Sequence, residues 1–218
     1  MVLAIFMSDL ERMIIRSPRK TEKGFLVDMH IHSHFSSDSF LRFEEILLEA
    51  AFTINGIVIT DHDIIGSFHL DKNTIEKEHE IVVFAPAVEI SSTEGHILAY
   101  GIASVPSREL EPEEVLRIIH DEKGLAVAAH PFSELGVGDL VYDLPFDAIE
   151  INGARPASDN QKAKEAATLL ELPMVGGSDA HIHGEIASCV TQFRKKIQTM
   201  DELIAEVKKG RCQPLMLR

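Results

Sequence analysis

The sequence is poor in cysteine, and this scarcity excludes several kinds of site. Its 218 residues include only Cys189 and Cys212, which lack the paired spacing of a zinc ribbon or a redox motif. Isolated cysteines in a cytosolic protein are usually buried thiols. We therefore expect neither a disulfide nor a structural zinc site built on cysteine ligands.

Long hydrophobic runs are missing as well. The chain starts with the apolar residues MVLAIFM, but this run is short, no basic residue precedes it, and SDLERM follows it. A signal peptide has a basic start and a longer apolar centre, and a membrane-spanning helix needs about 20 apolar residues. We therefore expect a soluble, cytoplasmic protein that has no membrane partner.

Basic residues are outnumbered by acidic ones. Lysine and arginine number 21 against 35 aspartates and glutamates, and the formal net charge is −14. Because basic contacts to phosphates supply most of the affinity for duplex nucleic acid, this composition argues against long nucleic acid as a partner. A small phosphorylated ligand remains compatible with the charge if bound cations offset it.

Several common catalytic motifs do not occur. The chain has no G-x-S-x-G elbow, no P-loop and no G-x-G-x-x-G after an apolar run, so serine hydrolases and nucleotide-binding folds are unsupported. The stretch GGSDAH is rich in glycine, but it lacks the lysine and the following helix of a phosphate-binding loop.

After an irregular, charged leader at residues 1–24, apolar runs alternate with helical patterns, and residues 25–218 are predicted to form a single domain. The runs are FLVDMHI, GIVITDHD, IVVFAPAVEIS, HILAYGI, GLAVAAHP, DAIEING and LPMVGGSDAH, with ASCVTQF and CQPLML as weaker candidates. This alternation predicts parallel βα units and an α/β fold. The remaining 194 residues (218 minus 24) are fewer than the roughly 250 of an eight-unit barrel, so we expect a smaller or distorted barrel, with a doubly wound sheet as the alternative.

Four segments between these runs have helical signals. Apolar residues at helical spacing predict the first three helices, and a capping box predicts the fourth. The second helix also has a proline near its start and a glycine after its end. The residues concerned are Phe43, Ile46, Leu47 and Ala50; Val115, Ile118 and Ile119, with Pro112 and Gly124; Ala163, Ala166, Ala167 and Leu170; and Thr199 with Glu202.

Potential metal ligands lie at the C-terminal ends of most apolar runs. They are His30, His32, Asp61, His62, Glu89, His130, Glu150, Asp179 and His181. If the strands are parallel, these side chains meet at one edge, which is where barrel active sites lie. Imidazoles and carboxylates together are typical ligands of divalent metal ions. His30 and His32 also lie two residues apart, so a strand directs both imidazoles to the same face.

Taken together, these motifs resemble those of the PHP family, the polymerase and histidinol phosphatase domain. DMHIHSHFSSDS is similar to its first motif, ITDHD to its second, AVEIS with GHIL to its third, AAHPF to its fourth and GGSDAH to its last. The motifs occur in the family's order. The resemblance implies a distorted (β/α)7 barrel of the TIM type, with a metal cluster at the C-terminal rim of the strands.

The resemblance also implies a set of ligands for two to three divalent ions, which are manganese, zinc or iron in such sites. The first predicted site consists of His30, His32, Glu89 and Asp179. The second shares Glu89 as a bridging ligand and adds His96 and His130. The third consists of Asp38, His62 and His181.

The implied activity is hydrolysis of a phosphomonoester by metal-activated hydroxide. The expected substrate is a small phosphorylated molecule: a nucleotide, an oligonucleotide end, or a sugar or amino-alcohol phosphate. Beside the bridging Glu89, we predict that Arg155 binds the substrate phosphate, with a solvated surface arginine as the alternative. His34 and His183 are candidates to contact substrate and protonate the leaving oxygen, or are simple surface histidines.

Other residues and functions remain open at this stage. Asp28, Asp61 and Asp63 either accept hydrogen bonds from ligand imidazoles or cap loops, and His69, His79 and His120 are expected to be solvated. A C–N hydrolase of the amidohydrolase type, and a non-catalytic PHP module that regulates a partner, are the alternative functions.

Overall fold

The computed structural model describes residues 24–69 and 80–218. The predicted leader, apart from Gly24, and His79 therefore lie outside the described residues. The described strands are β1 (Phe25–Ile31), β2 (Gly56–Ile59), β3 (Val82–Phe84), β4 (Ala87–Ser92), β5 (Gly95–Tyr100), β6 (Leu125–Ala128), β7 (Ala148–Asn152), β8 (Met174–Gly177), β9 (Cys189–Phe193) and β10 (Cys212–Met216). The α-helices are α1 (Phe43–Ala51), α2 (Pro112–Asp121), α3 (Ala157–Leu169) and α4 (Met200–Lys208), and short 3-10 helices span Gly66–His69 and Gly138–Tyr142.

The strands form two mixed sheets. The first has the order β10-β9-β1-β2-β3 and the second the order β4-β5-β6-β7-β8. Strands β1, β2 and β3 are parallel to one another, as are β6, β7 and β8. The pairs β1/β9, β9/β10, β4/β5 and β5/β6 are antiparallel.

The predicted (β/α)7 barrel is therefore wrong: among the described residues, the two five-stranded sheets do not close into a barrel. The two sheets are connected through isolated parallel β-bridges, which pair Ile31 with Ala180 and His62 with Glu89. One physical reason is that some consecutive strands are joined by connections too short to let them run parallel, as a barrel of βα units requires. Strands β4 and β5 are separated only by residues 93–94, whereas a parallel crossover needs a dozen residues or more.

The predicted helices are confirmed, with small changes in the buried face. Helix α1 buries all the apolar residues on which its prediction rests. In α2, Leu116 is buried beside Val115 and Ile119, whereas Ile118 is only partly buried. Helix α4 has Thr199 as its N-cap, and the threonine hydroxyl accepts a hydrogen bond from the Glu202 N–H at 3.2 Å.

The core lies between the sheets and the helices that cover them. Near-continuous burial along β1, β2 and β6 matches the expectation that parallel strands are covered on both faces. Cys189 is a buried free thiol whose pKa is raised to about 12 by burial, whereas Cys212 is partly exposed. None of the helices in residues 24–69 and 80–218 is long and apolar enough to span a membrane.

Candidate metal centre

The end of β1 directs two fully buried imidazoles at each other. His30 and His32 are 0% exposed, and their Nε2 atoms lie 3.0 Å apart. The alternation of side chains along an extended backbone puts both rings on one face, as predicted. Asp179, which follows β8, lies beside both rings: its Oδ1 is 3.4 Å from Nε2 of His30 and 3.3 Å from Nε2 of His32.

Glu89, in the middle of β4, joins this pair to two further histidines. Its Oε2 lies 3.0 Å from Nε2 of both His30 and His32. Its Oε1 lies 2.9 Å from Nδ1 of His96 and 3.1 Å from Nε2 of His130. The β4/β5 hairpin explains the position of His96, because β5 runs back from the same edge at which β4 ends. One buried carboxylate thus faces the predicted ligands of two ions.

The third predicted set meets at the more open side of the centre. Asp38 Oδ2 lies 3.4 Å from Nε2 of His62 and 3.3 Å from Nε2 of His181. Ser39 holds the two segments together, since its hydroxyl donates to the backbone carbonyl of His181 at 3.2 Å. The Asp38 side chain is 49% exposed, so solvent and ligands can reach this side.

All nine predicted ligands thus come together, and we call them the nine-residue cluster. The grouping of their ligand atoms differs in detail from the prediction. Sets with all ligand atoms within 4.8 Å of one another are His30, His32, Glu89 and Asp179; His62, Glu89 and His96; and His32, Asp38, His62 and His181. His62 therefore takes part in two sets, as do His32 and Glu89, whereas His130 belongs to none of these sets and contacts Glu89.

Hydrogen bonds to the outer ring nitrogens of the ligand histidines determine which nitrogen faces inward. Nδ1 of His30 lies 2.8 Å from a carboxylate oxygen of Glu150, and Nδ1 of His181 lies 2.9 Å from the backbone carbonyl of Asp179. Both partners can only accept, since a carbonyl or an ionised carboxylate has no proton to donate. Each Nδ1 therefore carries a proton, and Nε2 is the nitrogen that faces the cluster, where its lone pair is available to a metal ion.

His32 is oriented through a serine and an aspartate. Its Nδ1 lies 3.0 Å from the Ser36 hydroxyl, which donates its single proton to Asp61 at 3.2 Å and accepts from the backbone N–H of His62 at 2.9 Å. The hydroxyl can then only accept from His32, so Nε2 of His32 also faces inward as a lone pair. Ser133 lies similarly close to Nδ1 of His130, at 2.9 Å.

Two cluster residues have an unusual backbone conformation. His130 has φ +29° and Asp179 has φ +56°, backbone angles that residues other than glycine rarely adopt. The backbone at Asp179 is held by a hydrogen bond from its N–H to the carbonyl of His30 at 2.8 Å. Such strain is typical of binding and catalytic residues, because the surrounding structure must maintain it.

Burial and the dense packing of charges shift the pKa values of the cluster. Burial disfavours a charged His32, but the hydrogen bonds that its ring donates to Asp179 and Glu89 outweigh burial and raise the pKa of His32 to about 9. His30 behaves in the same way, since Glu150, Glu89 and Asp179 raise its pKa despite burial. Burial lowers the pKa of His62 to about 4, so this ring is neutral at pH 7. In the absence of a metal ion, protons on His30 and His32 offset the carboxylate charges.

The donor set fits divalent metal ions. Lone pairs on Nε2 of His30 and His32 at 3.0 Å repel each other unless a cation or a proton lies beside them. Nδ1 of His62 is buried without a hydrogen-bond partner, although Glu89 Oε2 is 3.4 Å away. Imidazole nitrogens with carboxylate oxygens, and no thiolate, suit manganese, iron or zinc.

The remaining predicted site residues lie at different distances from the cluster. Arg155 lies at its edge, where Nη2 donates to Asp179 Oδ2 at 2.7 Å, and its side chain is 29% exposed. His34 is exposed on the loop after β1, and its ring packs on Phe35 at 4.4 Å between centroids. His183 instead lies beside α1, with ring nitrogens 3.6 Å from Glu45 and 3.5 Å from Glu49. A substrate role for His183 has no support from these contacts.

The aspartates beside the motifs cap backbone groups and do not contact imidazoles. Asp28 accepts from the N–H groups of Ser178 and Ala187, at 2.9 and 2.8 Å. Asp63 accepts from Ser91 N–H at 2.8 Å. Ser36 and Ser133, the hydroxyl partners of His32 and His130, were not predicted from the sequence. Their positions, four residues after His32 and three after His130, are the only signal in the chain.

Comparisons with known proteins agree with the motifs. The profile of a family described as PHP-associated matches residues 157–212. The chain is 32% identical over 140 residues to the uncharacterized protein MJ1587 of Methanocaldococcus jannaschii, and the match covers 58% of this chain and 81% of that protein.

Solved structures with low sequence identity share the fold. PsfC from Pseudomonas syringae superposes with a TM-score of 0.69 at 18% identity, covering 88% of this chain and 91% of PsfC. A two-domain protein from Bacteroides vulgatus, containing a predicted PHP-like metal-dependent phosphoesterase, gives 0.67 at 17% identity over 88% of this chain and 64% of its own. An amidohydrolase from Chromobacterium violaceum with bound sulfate and no metal gives 0.62 at 18% identity over 87% of this chain and 97% of its own. The ordered motifs, the matched profile and the 32% identity to MJ1587, of which the match covers 81%, lead to one conclusion: the chain belongs to the PHP family.

Proposed function

We propose that the chain is a metal-dependent phosphoesterase that hydrolyses a phosphomonoester of a small phosphorylated substrate. The observation that carries the proposal is the pair of inward-facing imidazoles, with Nε2 of His30 and Nε2 of His32 only 3.0 Å apart. Both rings have their protons on the outer nitrogen, so the inner nitrogens are arranged to bind a cation.

Two to three divalent ions are proposed, held by the nine-residue cluster. When bound, such ions polarise phosphoryl oxygens and lower the pKa of water so that hydroxide forms near neutral pH. Glu89 supports more than one ion, because its two oxygens face different histidines: Oε2 faces His30, His32 and His62, and Oε1 faces His96 and His130. Its carboxylate would keep neighbouring ions close together.

Arg155 is proposed to bind the substrate phosphate at the edge of the cluster. Its hydrogen bond to Asp179, at 2.7 Å, fixes the guanidinium beside the proposed first ion site. The side chain is 29% exposed, so part of the guanidinium remains accessible. A guanidinium can donate to two phosphate oxygens at once, which fits a terminal phosphate group.

His34 is proposed as the residue that protonates the leaving oxygen. It lies on the same loop as Asp38 and is exposed, so it can reach a substrate bound at the open side. A His34→Gln variant with unchanged kcat would remove His34 from the mechanism.

The proposed substrate is small and bears its phosphate at one end. A nucleotide, an oligonucleotide end, or a sugar or amino-alcohol phosphate all meet this description. The formal charge of −14 works against binding long nucleic acid, whereas divalent ions provide positive charge locally for one phosphate group.

Hydrolysis of a C–N bond is the second candidate, because the fold is also shared with an amidohydrolase from Chromobacterium violaceum. Amidohydrolases often bridge their metals with a modified lysine. In the described chain, the group between the candidate ion sites is instead the carboxylate of Glu89, which favours the phosphoesterase. A non-catalytic module is disfavoured, because all nine ligand positions carry metal-binding residue types.

The test combines substrate assays with ligand variants. Protein loaded with manganese, zinc or iron is assayed with an aryl phosphate, a panel of nucleotides and sugar phosphates, and an amide panel. Glu89→Gln and His130→Ala are expected to lower phosphatase activity by more than the roughly 10–100-fold loss seen when an outer partner of a metal ligand is removed.

Two variants outside the cluster serve as matched controls. His120→Ala removes a histidine that contacts Asp147 at the start of β7, and Glu122→Gln alters an exposed carboxylate. Both should retain activity. Hydrolysis of amides but not of phosphate esters by the loaded protein would favour the C–N hydrolase, and full phosphatase activity in Glu89→Gln would refute the proposed site.

A further inference from the structure

Glu150, in β7, lies behind the nine-residue cluster and contacts two of its histidines. It is 1% exposed. Its Oε1 lies 2.8 Å from Nδ1 of His30, and its Oε2 accepts from the backbone N–H of His130 at 2.8 Å. The side chain amide of Asn152 also donates to Oε2, at 3.0 Å. One carboxylate therefore bonds to residues of two neighbouring predicted ion sites.

The surroundings hold this carboxylate in one orientation. Asn152 is itself fixed by Asn160 of α3, which accepts from its backbone N–H and donates to its carbonyl, both at 2.8 Å. On the other side, a Cβ at Gly177 would lie 2.5 Å from Glu150 Oε1 and would also collide with Cβ of His30. The absence of a side chain at Gly177 allows β8 to approach the bonded pair closely.

We propose that Glu150 is a positioning residue that prepares the first and second ion sites together, an inference that rests on the proposed function. By accepting from Nδ1 of His30, it keeps the lone pair of Nε2 directed at the cluster. By accepting from the N–H of His130, it holds the backbone of a residue whose φ is +29°. Loss of Glu150 therefore weakens metal binding without removing any metal ligand.

Replacement by glutamine distinguishes this role from simple packing, because it preserves shape and changes the hydrogen-bond pattern. Two N–H donors, from His130 and Asn152, meet at the Oε2 position. The glutamine carbonyl is expected to take that position, since it satisfies both donors. Its NH2 group then faces Nδ1 of His30, which must accept, and the His30 proton moves to Nε2, where it competes with the metal.

The first measurement is metal affinity, by competition between the purified protein and a chelator for zinc. Glu150→Gln is expected to lower zinc affinity about 10–100-fold, as is usual for outer partners of metal ligands. Asn152→Ala is the matched control, since it removes one bond to Glu150 and leaves the bond to His30. The zinc affinity of Asn152→Ala should stay within about 3-fold of that of the parent protein, a change well below the roughly 10–100-fold loss expected for Glu150→Gln. Equal losses in both variants would overturn the proposal, because a packing defect would then explain them.

The second measurement follows the imidazole itself. In the zinc-loaded, 15N-labelled protein, His30 should show a proton on Nδ1 with the downfield shift of a hydrogen bond to a carboxylate. Asn152→Ala should retain this signal, and Glu150→Gln should lose it. If Glu150→Gln does not fold, the parent spectrum still decides, because a His30 without a proton on Nδ1 would overturn the proposal.

The outcomes separate this inference from the proposed function. A parent protein that binds no zinc and hydrolyses no phosphate ester would refute the proposed function. A parent protein that binds zinc and is active, with Glu150→Gln matching it in affinity and in the His30 signal, would refute only the positioning role.

Discussion

Arg155 donates a hydrogen bond from Nη2 to Oδ2 of Asp179 across 2.7 Å, and this ion pair joins the only proposed phosphate-binding side chain to a predicted metal ligand. Asp179 is 2% exposed, whereas Arg155 is 29% exposed. The buried carboxylate thus holds an accessible guanidinium at the edge of the centre.

Arg155→Ala is expected to raise KM for an aryl phosphate about 10-fold or more, because a hydrogen bond to a charged group contributes about 1.5–3 kcal/mol. Arg155→Lys should recover part of the loss, since lysine keeps the charge but not the planar fork. Arg117→Ala, at an exposed arginine of α2, is the control in steady-state kinetics. Unchanged KM in Arg155→Ala would exclude Arg155 from phosphate binding.

Asp38→Ala is expected to remove one ion and leave the others. Asp38 belongs only to the set with His32, His62 and His181, and its side chain is 49% exposed, so the fold should tolerate the change. Elemental analysis of the variant should give about one ion fewer per chain than the parent. Asp121→Ala, at an exposed aspartate of α2, should bind as many ions as the parent. An equal ion count in Asp38→Ala would contradict the third site.

The thermal stability of the metal-free protein and the affinity of the protein for zinc should change with pH in opposite directions. The pKa of His32 in the folded, metal-free chain is about 9, above the usual histidine value of 6.5. Because folding raises the pKa of His32, its protonated imidazole stabilises the folded state. This contribution is complete below about pH 6.5 and is lost as pH rises through about 9.

The thermal midpoint of chelator-treated protein should therefore fall between pH 7 and pH 9.5, whereas zinc affinity should rise over the same range as protons leave the ligands. Thermal melts with chelator and with zinc measure both effects. A metal-free midpoint that is constant or rises over this range would contradict the assigned protonation of His32.

Helix α1 offers a test of the packing that supports the first motif. Ile46 is 0% exposed, and Leu48 on the same helix is 53% exposed. Ile46→Ala should lower the free energy of unfolding by about 2–5 kcal/mol, whereas Leu48→Ala should change it by less than about 0.5 kcal/mol. Denaturant titration measures both. Equal losses would contradict the assignment of the buried face.

Strand alternation and strand ends were sufficient to predict that the imidazoles and carboxylates at the ends of the apolar runs lie close together, whereas Asp38 and His96 were assigned only through the resemblance to the PHP family. His30 and His32 lie on one face by the period of an extended chain, and Asp179 follows the strand that adjoins them. The sheet topology could not be predicted in the same way. The two apolar runs look the same whether paired antiparallel or parallel, but residues 93–94 between β4 and β5 are too few for a parallel crossover, so this one antiparallel pair could have been predicted.

The partners outside the cluster were also beyond local patterns. Glu150 and His30 are 120 positions apart, and their bond depends on how β7 and β1 face each other. Ser36 is close to His32 in sequence, but its function depends on Asp61 from the next strand. Such contacts are decided by tertiary packing, which periodicity does not describe.

The most direct test of the central claim is the metal content of the purified protein, measured by elemental analysis beside its folded state by circular dichroism. The account predicts at least two divalent ions per chain. It also predicts the loss of ions in Glu89→Gln, because the carboxylate of Glu89 faces five histidines. A folded parent protein that remains free of metal after incubation with manganese, zinc and iron would contradict it.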